Sequence, residues 1–541
     1  MEINNNIVCY CTELERFYYS PIVLLDNNIH NGDYLNLYTF IGKAPYTVDE
    51  LSVPEMTLSP TYIKNVYKHI IFMKKVNLND ISVVAERIDW TANTFYDIYH
   101  QDANMSERGS DGKLIKKFYV KNKYDQIFKC LWNNITDEDT YSVSNIINND
   151  YYYSIEHQGG TFEIGSYITL TKTNPDEFTG TYKVIGSTNG IANVSFGTSS
   201  AYVISTEKQY VSGGLIKSSV LSTEEPVFQP GSYEENNLVE TSDGYKWIYL
   251  TTLDKGKKLK FYDKNWMPIG VDANYPNPST TDSGWGSIDT INIVNGGQGY
   301  ANGTNTVIVT VTGDGNGARA EAFVSNNKIS KITMLNYGKD YTFANVSITP
   351  ASGYSGSGVE AQLSISTIGG HGFNLVRDLY CRNIMVTSSF EGTEQGSLPT
   401  NIFFNQIGLI YNPYLVSDQL NHANSSIINC MTEVIVYTGD SPYIHGESVY
   451  QGISLSESTF SAEVLSFDSS NNILQVINTK GTIKENYELK GETSGVSRVV
   501  NGINYSSYIP NSGNIFYLEN KLGIERDNLG TEQTRILIRY G

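Results

Sequence analysis

The sequence contains few cysteines, which limits how the chain could be cross-linked or bind metal. Its five cysteines are an odd number, and only Cys9 and Cys11 lie close together, at a spacing unlike that of zinc motifs. We therefore expect buried free thiols in a reducing compartment, and no disulfide framework.

Positive charge and long apolar runs are also scarce. The chain has 38 lysines and arginines against 57 acidic residues, a formal net charge of −19, and its basic residues form no long run. Such a chain cannot readily neutralise a phosphate backbone, so nucleic acid is not expected as a direct partner. No stretch of about eighteen apolar residues occurs, and the N-terminus lacks a basic segment followed by an apolar one. We expect no membrane span and synthesis in the cytosol.

Common catalytic and metal-binding patterns are absent from the sequence. The seven histidines are scattered without an HExxH pair, and no GxSxG sequence surrounds a serine. The chain is therefore predicted to have no catalytic residues, no metal site and no cofactor, and not to be an enzyme. The one histidine of special interest is His371, in "GGHGFN", where glycines on both sides allow other backbones to approach. A turn histidine bonded to a carbonyl is favoured there over a metal ligand.

Tyrosine is abundant, with 40 residues, and it accompanies many Asn, Thr, Ser and Gly residues, a composition typical of strands and turns. Gly313, Gly315 and Gly317 have the spacing of a nucleotide-binding loop, which needs a helix after the third glycine. Alternation of apolar and polar residues from 318 to 324 predicts a strand instead. The stretch also recurs 41 residues later, so residues 288–366 are interpreted as two copies of a small β unit.

Two helices are predicted most clearly. Thr12 and Glu15 fit a capping box at the start of a short helix. Ser59 followed by Pro60 begins a second one, in which apolar residues continue at helical spacing through Met73. The segment 34–40 between these helices alternates like a strand.

The fold class predicted from these patterns is mainly β, with a β-sandwich-type core, a few short helices and three inserted small β modules. The core is expected at 1–145, 223–284, 369–445 and 508–541. The modules are expected at 146–222, at 285–368 (the tandem repeat) and at 446–507.

Six stretches of the core segments carry a resemblance to a known family. They are "LNLYTFIGKAPYTVDE", "VVAERIDWTANTFYDIY", "IFKCLWNN", "ETSDGYKWIYL", "NIFFNQIGLIYNPYL" and "GNIFYLENKLGIERDNLGTEQTRILIRY". In these stretches and in their order, the sequence resembles the baseplate wedge subunit family, called gene product eight, of T-even-type contractile-tailed bacteriophages. The three inserts depart from the shortest members of the family, so the resemblance does not cover the outer surface.

The resemblance implies a structural role: a virion protein of the tail baseplate that pairs with itself as a dimer and joins other wedge proteins. A twofold dimer is also the commonest closed assembly. The rival hypothesis is a receptor- or glycan-binding tail protein, with the turns at Tyr300 and Tyr341 as contacts. A virion-associated glycosidase would need two carboxylates facing a cleft, and the sequence places no such pair.

Two motifs within the resemblance are candidate interface or structural sites. Asp243 and Gly244 predict a tight turn, followed by a strand that carries Tyr245, Trp247 and Tyr249 on one face. The alternative is an exposed platform on which sugars stack.

The second motif contains Arg87, Asp89 and Trp90. These residues could form a buried pair that holds a loop, or an anchor in a protein interface. The sequence leaves these two alternatives open.

Overall fold

In a computed structural model of the chain, the residues described are 6–8, 36–45, 52–57, 59–109, 112–135, 140–149, 152–175, 178–195, 209–229, 237–269, 286–367, 370–526 and 530–539. The helix predicted at Thr12 lies outside them, as do Cys9 and Cys11. Within these ranges strands predominate and helices are few and short, which confirms the predicted mainly β fold.

The described ranges contain three α-helices and two 3₁₀ turns. The helices are α1 (Pro60–His69), α2 (Lys255–Phe261) and α3 (Leu375–Asp378). The 3₁₀ turns cover Leu78–Asp80 and Glu394–Gly396.

The strands are numbered in chain order. Those before residue 270 are β1 (Asn6–Val8), β2 (Leu37–Gly42), β3 (Ile70–Lys75), β4 (Ile81–Glu86), β5 (Tyr119–Lys121), β6 (Gln126–Asn133), β7 (Tyr141–Asn148), β8 (Tyr153–His157), β9 (Tyr167–Asn174), β10 (Gly180–Thr188), β11 (Ile191–Ser195), β12 (Ser212–Ser218), β13 (Leu238–Glu240), β14 (Tyr245–Thr252) and β15 (Trp266–Ile269). Those after it are β16 (Ile288–Gln298), β17 (Val307–Gly313), β18 (Asn316–Ser325), β19 (Lys328–Lys339), β20 (Ala344–Pro350), β21 (Ser357–Ile365), β22 (Asn383–Glu391), β23 (Phe403–Tyr411), β24 (Tyr414–Leu415), β25 (Asp418–His422), β26 (Ile427–Asn429), β27 (Thr432–Val436), β28 (Ser448–Gly452), β29 (Ser458–Asp468), β30 (Ile473–Gly481), β31 (Glu488–Gly491), β32 (Ser497–Asn504), β33 (Asn514–Glu525) and β34 (Thr531–Arg539).

The chain folds into two compact units. The first unit consists of Met1–Ser82 and Asn383–Gly541, and the second consists of Val83–Arg382. The segments predicted as one discontinuous core are thus divided between the two units. In the first unit, a six-stranded antiparallel sheet has the order β1-β33-β23-β2-β3-β26, and β22 pairs with β34 outside this sheet. Apolar side chains of the sheet and of the β22–β34 pair share one buried cluster, in which the rings of Phe72 and Phe390 meet edge to face at 6.2 Å. This packing is β-sandwich-like.

The second helix predicted from sequence is only partly correct. Ser59 caps α1 as expected, accepting a hydrogen bond from the Tyr62 N–H at 3.2 Å. However, the helix ends at His69, and the chain continues directly as β3 between β2 and β26. The first four residues of β3 are apolar and all buried. An interior strand buries such a run on both faces, which a helix with one buried face cannot do.

Two closed barrels, each of six strands, contain twelve of the remaining strands. In the second unit β7–β12 close in the order β10-β11-β8-β7-β12-β9, and in the first unit β27–β32 close in the order β27-β30-β29-β28-β31-β32. Each barrel starts before the corresponding predicted module, at Tyr141 and at Thr432. In β27 the side chains of Val434 and Val436 point into the barrel core.

The frame of the second unit consists of a sheet in the order β13-β14-β6-β5 and the antiparallel pair β4–β15. Every residue of β6 is buried, because both of its faces are covered. Ile127 and Leu131 contribute to one apolar cluster, whereas Phe128 and Cys130 contribute to another on the opposite face.

The tandem repeat forms three two-stranded ribbons, β16–β21, β17–β20 and β18–β19. The first copy supplies β16, β17 and β18, and the second supplies β19, β20 and β21. Each outer strand therefore pairs with the other copy. At the centre, Ile308 pairs with Thr349, its own equivalent 41 residues later. The module thus has a pseudo-twofold axis between β17 and β20. The strand predicted by alternation is β18, and Gly317 adopts a φ of +84° at its start.

The repeated turn tyrosines lock the two copies together. The Tyr300 N–H donates to the Asn327 carbonyl at 3.1 Å, and the Tyr341 N–H donates to the Gly286 carbonyl at 3.0 Å, at equivalent positions. Both tyrosines are buried, with 2% and 4% exposure. The phenol ring of each lies on a glycine of the other copy, where a Cβ would overlap it.

We expect Gly315→Ala to destabilise the second unit by about 1–3 kcal/mol, the usual cost of overpacking. A Cβ on Gly315 would lie 2.5 Å from the Tyr341 ring and from the Lys339 carbonyl. Gly160→Ala is the matched control, because a Cβ there meets nothing within 4 Å. Urea unfolding followed by tryptophan fluorescence gives both values, and equal midpoints for the two variants would contradict the proposed lock.

Candidate functional site

The Asp243–Gly244 turn follows β13 and leads into β14, as the sequence predicted. Gly244 has a φ of +82°. The Asp243 carboxylate accepts hydrogen bonds from the Tyr245 N–H at 3.1 Å, the Thr241 hydroxyl at 2.5 Å and the Thr223 N–H at 2.6 Å. Burial alone would raise the pKa of Asp243, but these hydrogen bonds outweigh it and lower the pKa.

The two large aromatic side chains after this turn are buried. Tyr245 and Trp247 are 0% exposed, and their rings stack with centroids 5.6 Å apart. They pack with Tyr96, Phe128 and Cys130 in one apolar cluster. The hypothesis of an exposed sugar-stacking platform is therefore wrong at these residues, and the structural interpretation of the motif is confirmed. Tyr249, the third aromatic residue predicted on this face, packs against the same cluster.

Arg87 and Asp89 form an ion pair on a half-exposed surface. An Asp89 oxygen lies 2.5 Å from the Arg87 guanidinium, and the other lies 3.2 Å from the Lys121 ammonium. The Arg87 guanidinium also lies over the Tyr262 ring at 4.5 Å. Burial opposes ionisation of Asp89, but the two cations outweigh it and lower its pKa. The indole N–H of Trp90 donates to the Ser222 hydroxyl at 3.0 Å.

These contacts bring two of the predicted groups together. Trp90 packs against the same apolar cluster as Tyr245 and Trp247, so the two motifs support one face of the sheet that contains β6 and β14. His371 lies apart from them, near the opposite face of β6.

His371 belongs to a buried cluster of four ionisable groups. Its Nε2 lies 2.9 Å from a carboxylate oxygen of Asp289 in β16, with poor hydrogen-bond alignment. Its Nδ1 lies 3.1 Å from the ammonium of Lys129 in β6 and 3.6 Å from Asp378 in α3. The Lys129 ammonium contacts Asp378 at 2.6 Å and sits over the Tyr99 ring at 4.2 Å. The cluster thus joins β16 of the repeat to β6 and α3.

Solvent is almost completely excluded from this cluster, since side-chain exposure is 6% for Asp289, 1% for His371 and 0% for Lys129 and Asp378. Asp378 also accepts hydrogen bonds from the Thr367 hydroxyl and the backbone N–H of residue 372, both at 2.8 Å. Without access for a substrate, this geometry serves to fix elements in place. His371 therefore pairs with carboxylates, and the turn carbonyl that was predicted as its partner is not among its contacts.

The charges of the cluster raise the pKa of His371. Burial and the Lys129 ammonium disfavour the imidazolium, but the Asp289 and Asp378 carboxylates outweigh both. Two carboxylates face one lysine, so protonation of His371 makes the cluster neutral. The Lys129 ammonium and His371 lower the pKa of Asp378 far below its usual range despite its burial.

We expect the second unit to lose stability as pH rises. Because the folded pKa of His371 is raised, its contribution is complete below the unfolded value of about 6.5 and is lost through the folded pKa. Asp378 has a lowered pKa in the folded state, so its contribution to stability is complete above its unfolded pKa. That contribution is lost only in strong acid. Urea midpoints from about pH 5 to pH 9 should fall for the native chain and stay flatter for His371→Gln. The same slope in both proteins would contradict this assignment.

A similar cluster lies in the first unit. The Glu463 carboxylate of β29 contacts the Lys43 ammonium at 2.9 Å and the His69 ring at 3.4 Å. Burial would raise the pKa of Glu463, but hydrogen bonding to His69 and the Lys43 charge lower it to about 2. This contact attaches a barrel strand to the end of α1 and the segment after β2.

Sequence reasoning identified His371 but missed its partners. An isolated lysine inside the apolar run "IFKCLW" was a usable signal for Lys129, since a lysine in a buried strand must find an anion. Asp289 and Asp378 carried no comparable signal.

In the part of the chain that the structure describes, no group of three or more His, Cys, Asp or Glu residues could hold a metal ion. Among the same residues, no helix is long and apolar enough to cross a membrane. Cys130 and Cys381 are buried free thiols, as expected, and Cys430 is a partly buried one.

Comparison of the chain with models of protein families found no match. Comparison with curated proteins found none either. The resemblance to the baseplate wedge family therefore depends on the ordered motifs alone.

Proposed function

We propose that this protein is a structural subunit of a virion, the baseplate wedge subunit of a contractile phage tail. It would assemble in the host cytoplasm, pair with itself as a dimer and connect neighbouring wedge proteins. Its action would be mechanical: it would hold its neighbours in the resting baseplate and let interfaces rearrange when the tail contracts, as packed interfaces with two arrangements can.

One observation carries this proposal: the motifs of the resemblance coincide with sheet strands of both units that lie outside the barrels and the repeat. "LNLYTFIG" contains β2, "IFKCLWNN" covers most of β6, and "ETSDGYKWIYL" contains the turn into β14. "NIFFNQIGLIY" and the C-terminal stretch contain β23, β33 and β34. The predicted inserts supply most of the strands of the two barrels and all three ribbons of the tandem repeat. A scaffold that bears modules suits a protein that holds several neighbours.

The polar groups give further support for a structural role. Asp243, the Arg87–Asp89 pair and the His371 cluster are all engaged by partners within their own unit. The rival glycan hypothesis lacks an accessible ring at its proposed contacts, since Tyr300 and Tyr341 are buried in the repeat.

The test is the solution mass of the purified protein, measured by light scattering alone and with candidate wedge proteins from the same genome. We expect a mass of two chains and a larger complex of fixed stoichiometry on mixing. A protein that stays monomeric and does not bind these partners would contradict the proposal. A glycan array would then test the rival hypothesis of a glycan-binding tail protein.

A further inference from the structure

The pseudo-twofold axis of the repeat gives the module two equivalent ends with different surroundings. At one end, the face of the β16–β21 ribbon that points away from the module core is buried in the second unit. Thr290, Asn292 and Ser364 on this face are only 4%, 2% and 3% exposed. Next to it, Asp289 contacts His371, and the Ile365 N–H donates to Gln101 at 3.4 Å. This end therefore docks on protein.

At the other end, the equivalent face of the β18–β19 ribbon is exposed. We call it the free ribbon face, and it consists of Arg319, Glu321, Phe323, Lys331, Thr333 and Leu335. Phe323 is 46% exposed and Leu335 is 63% exposed. Phe323 occupies the position of the buried Ser364, and Lys331 that of the buried Thr290. The exposed end thus carries larger apolar side chains than the end that is already covered.

The β18–β19 ribbon that bears the free ribbon face is also locally basic in an acidic chain. Residues 316–339 contain the cations Arg319, Lys328, Lys331 and Lys339 and the single acid Glu321, a formal charge of +3, whereas the whole chain has −19. The β18–β19 ribbon therefore carries a local excess of positive charge.

We propose that the free ribbon face binds an acidic polypeptide segment that carries apolar side chains, on a partner protein. The covered end of the module shows that this ribbon geometry packs against protein. Apolar side chains surrounded by basic ones fit a partner with the complementary pattern. The inference rests on the proposed function, since a subunit that joins neighbours needs such a surface, and it names the chemistry of one neighbour.

The test uses a labelled random copolymer of glutamate and tyrosine as the acidic, apolar probe, with binding followed by fluorescence anisotropy at low and high salt. Polyglutamate without tyrosine is the second probe, and a single-stranded oligonucleotide is the third. We expect the copolymer to bind most tightly, and high salt to weaken it because surface charges are screened.

Two substitutions introduce the residue type found at the equivalent position of the covered end. The ribbon backbone already accommodates these residue types there. Phe323→Ser should remove the preference for the copolymer over polyglutamate, and Lys331→Thr should weaken both acidic polymers. We expect a change of about tenfold for each, the size of a moderate interface contact. The controls Ile453→Ser and Lys64→Thr make matching changes at exposed positions of the first unit and should bind like the native chain.

Equal effects of these controls, or no binding of the acidic polymers, would overturn the proposal. Tighter binding of the oligonucleotide than of the copolymer would overturn it in favour of nucleic acid. Because no other baseplate protein takes part, this result is independent of the light-scattering test. Failure of one experiment is therefore distinguishable from failure of the other.

Discussion

Replacing Lys129 by methionine should destabilise the second unit by about 3–5 kcal/mol, because it leaves a buried carboxylate without its cation. Lys129 and Asp378 are both 0% exposed, and their charged atoms lie 2.6 Å apart. Methionine fills similar volume, so the loss reports the charge and not a cavity. The double variant Lys129→Met with Asp378→Asn is neutral and should recover part of the stability.

The chain offers a convenient probe for this experiment. Trp90, Trp132, Trp247 and Trp266 lie in the second unit, and the fifth tryptophan, at 285, also belongs to its sequence range, so tryptophan fluorescence in urea does not report on the first unit. Lys123→Met is the control, since it removes a cation whose side chain is 64% exposed from an ion pair with Glu225. Its midpoint should match that of the native chain. If Lys129→Met behaved in the same way, the cluster would not stabilise the unit.

Trp247→Ala should cost the second unit about 3–5 kcal/mol, the usual range for a buried tryptophan replaced by alanine. Trp247 is fully buried, meets the Tyr96 ring edge to face at 5.4 Å and stacks on Tyr245. Its indole N–H has no hydrogen-bond partner, so the effect comes from packing. Trp247→Phe should therefore keep a substantial part of the stability.

Tyr249→Ala is the control on the same strand. Tyr249 is partly exposed and stacks on Phe228 with centroids 4.2 Å apart. Tyr249→Ala should reduce the stability of the second unit clearly less than Trp247→Ala does, as measured by thermal unfolding monitored by circular dichroism. Equal costs would show that the buried cluster around Trp247 contributes no special stability.

Local patterns succeeded where the neighbours in sequence decide the conformation. Alternation predicted β18, and Ser59 followed by Pro60 predicted the start of α1, because strand faces and helix caps depend on adjacent residues. Asp243 and Gly244 predicted their turn for the same reason. The end of α1 was missed because the next four apolar residues fit a helix and a strand equally well, and the two neighbouring strands selected the strand.

At the site, too, some features were evident from neighbouring residues and others depended on distant contacts. His371 stood out because of its flanking glycines, but its contacts with Lys129 and Asp289 bridge 242 and 82 positions of the chain. Nothing near a residue in sequence indicates which distant charge it will meet. Likewise, nothing near Arg87 and Asp89 in the sequence indicated that Tyr262 and Lys121 would lie beside them.

The sequence by itself determined the mainly β class, the 41-residue repeat, the scarcity of positive charge and the turn at Asp243. These properties follow from composition and from backbone preferences over a few residues. Only the tertiary structure decided which aromatic residues are buried, which charges are paired and which end of the repeat is covered. Such choices depend on the packing of strands that are distant in the chain, since burial and low dielectric arise only when those strands come together.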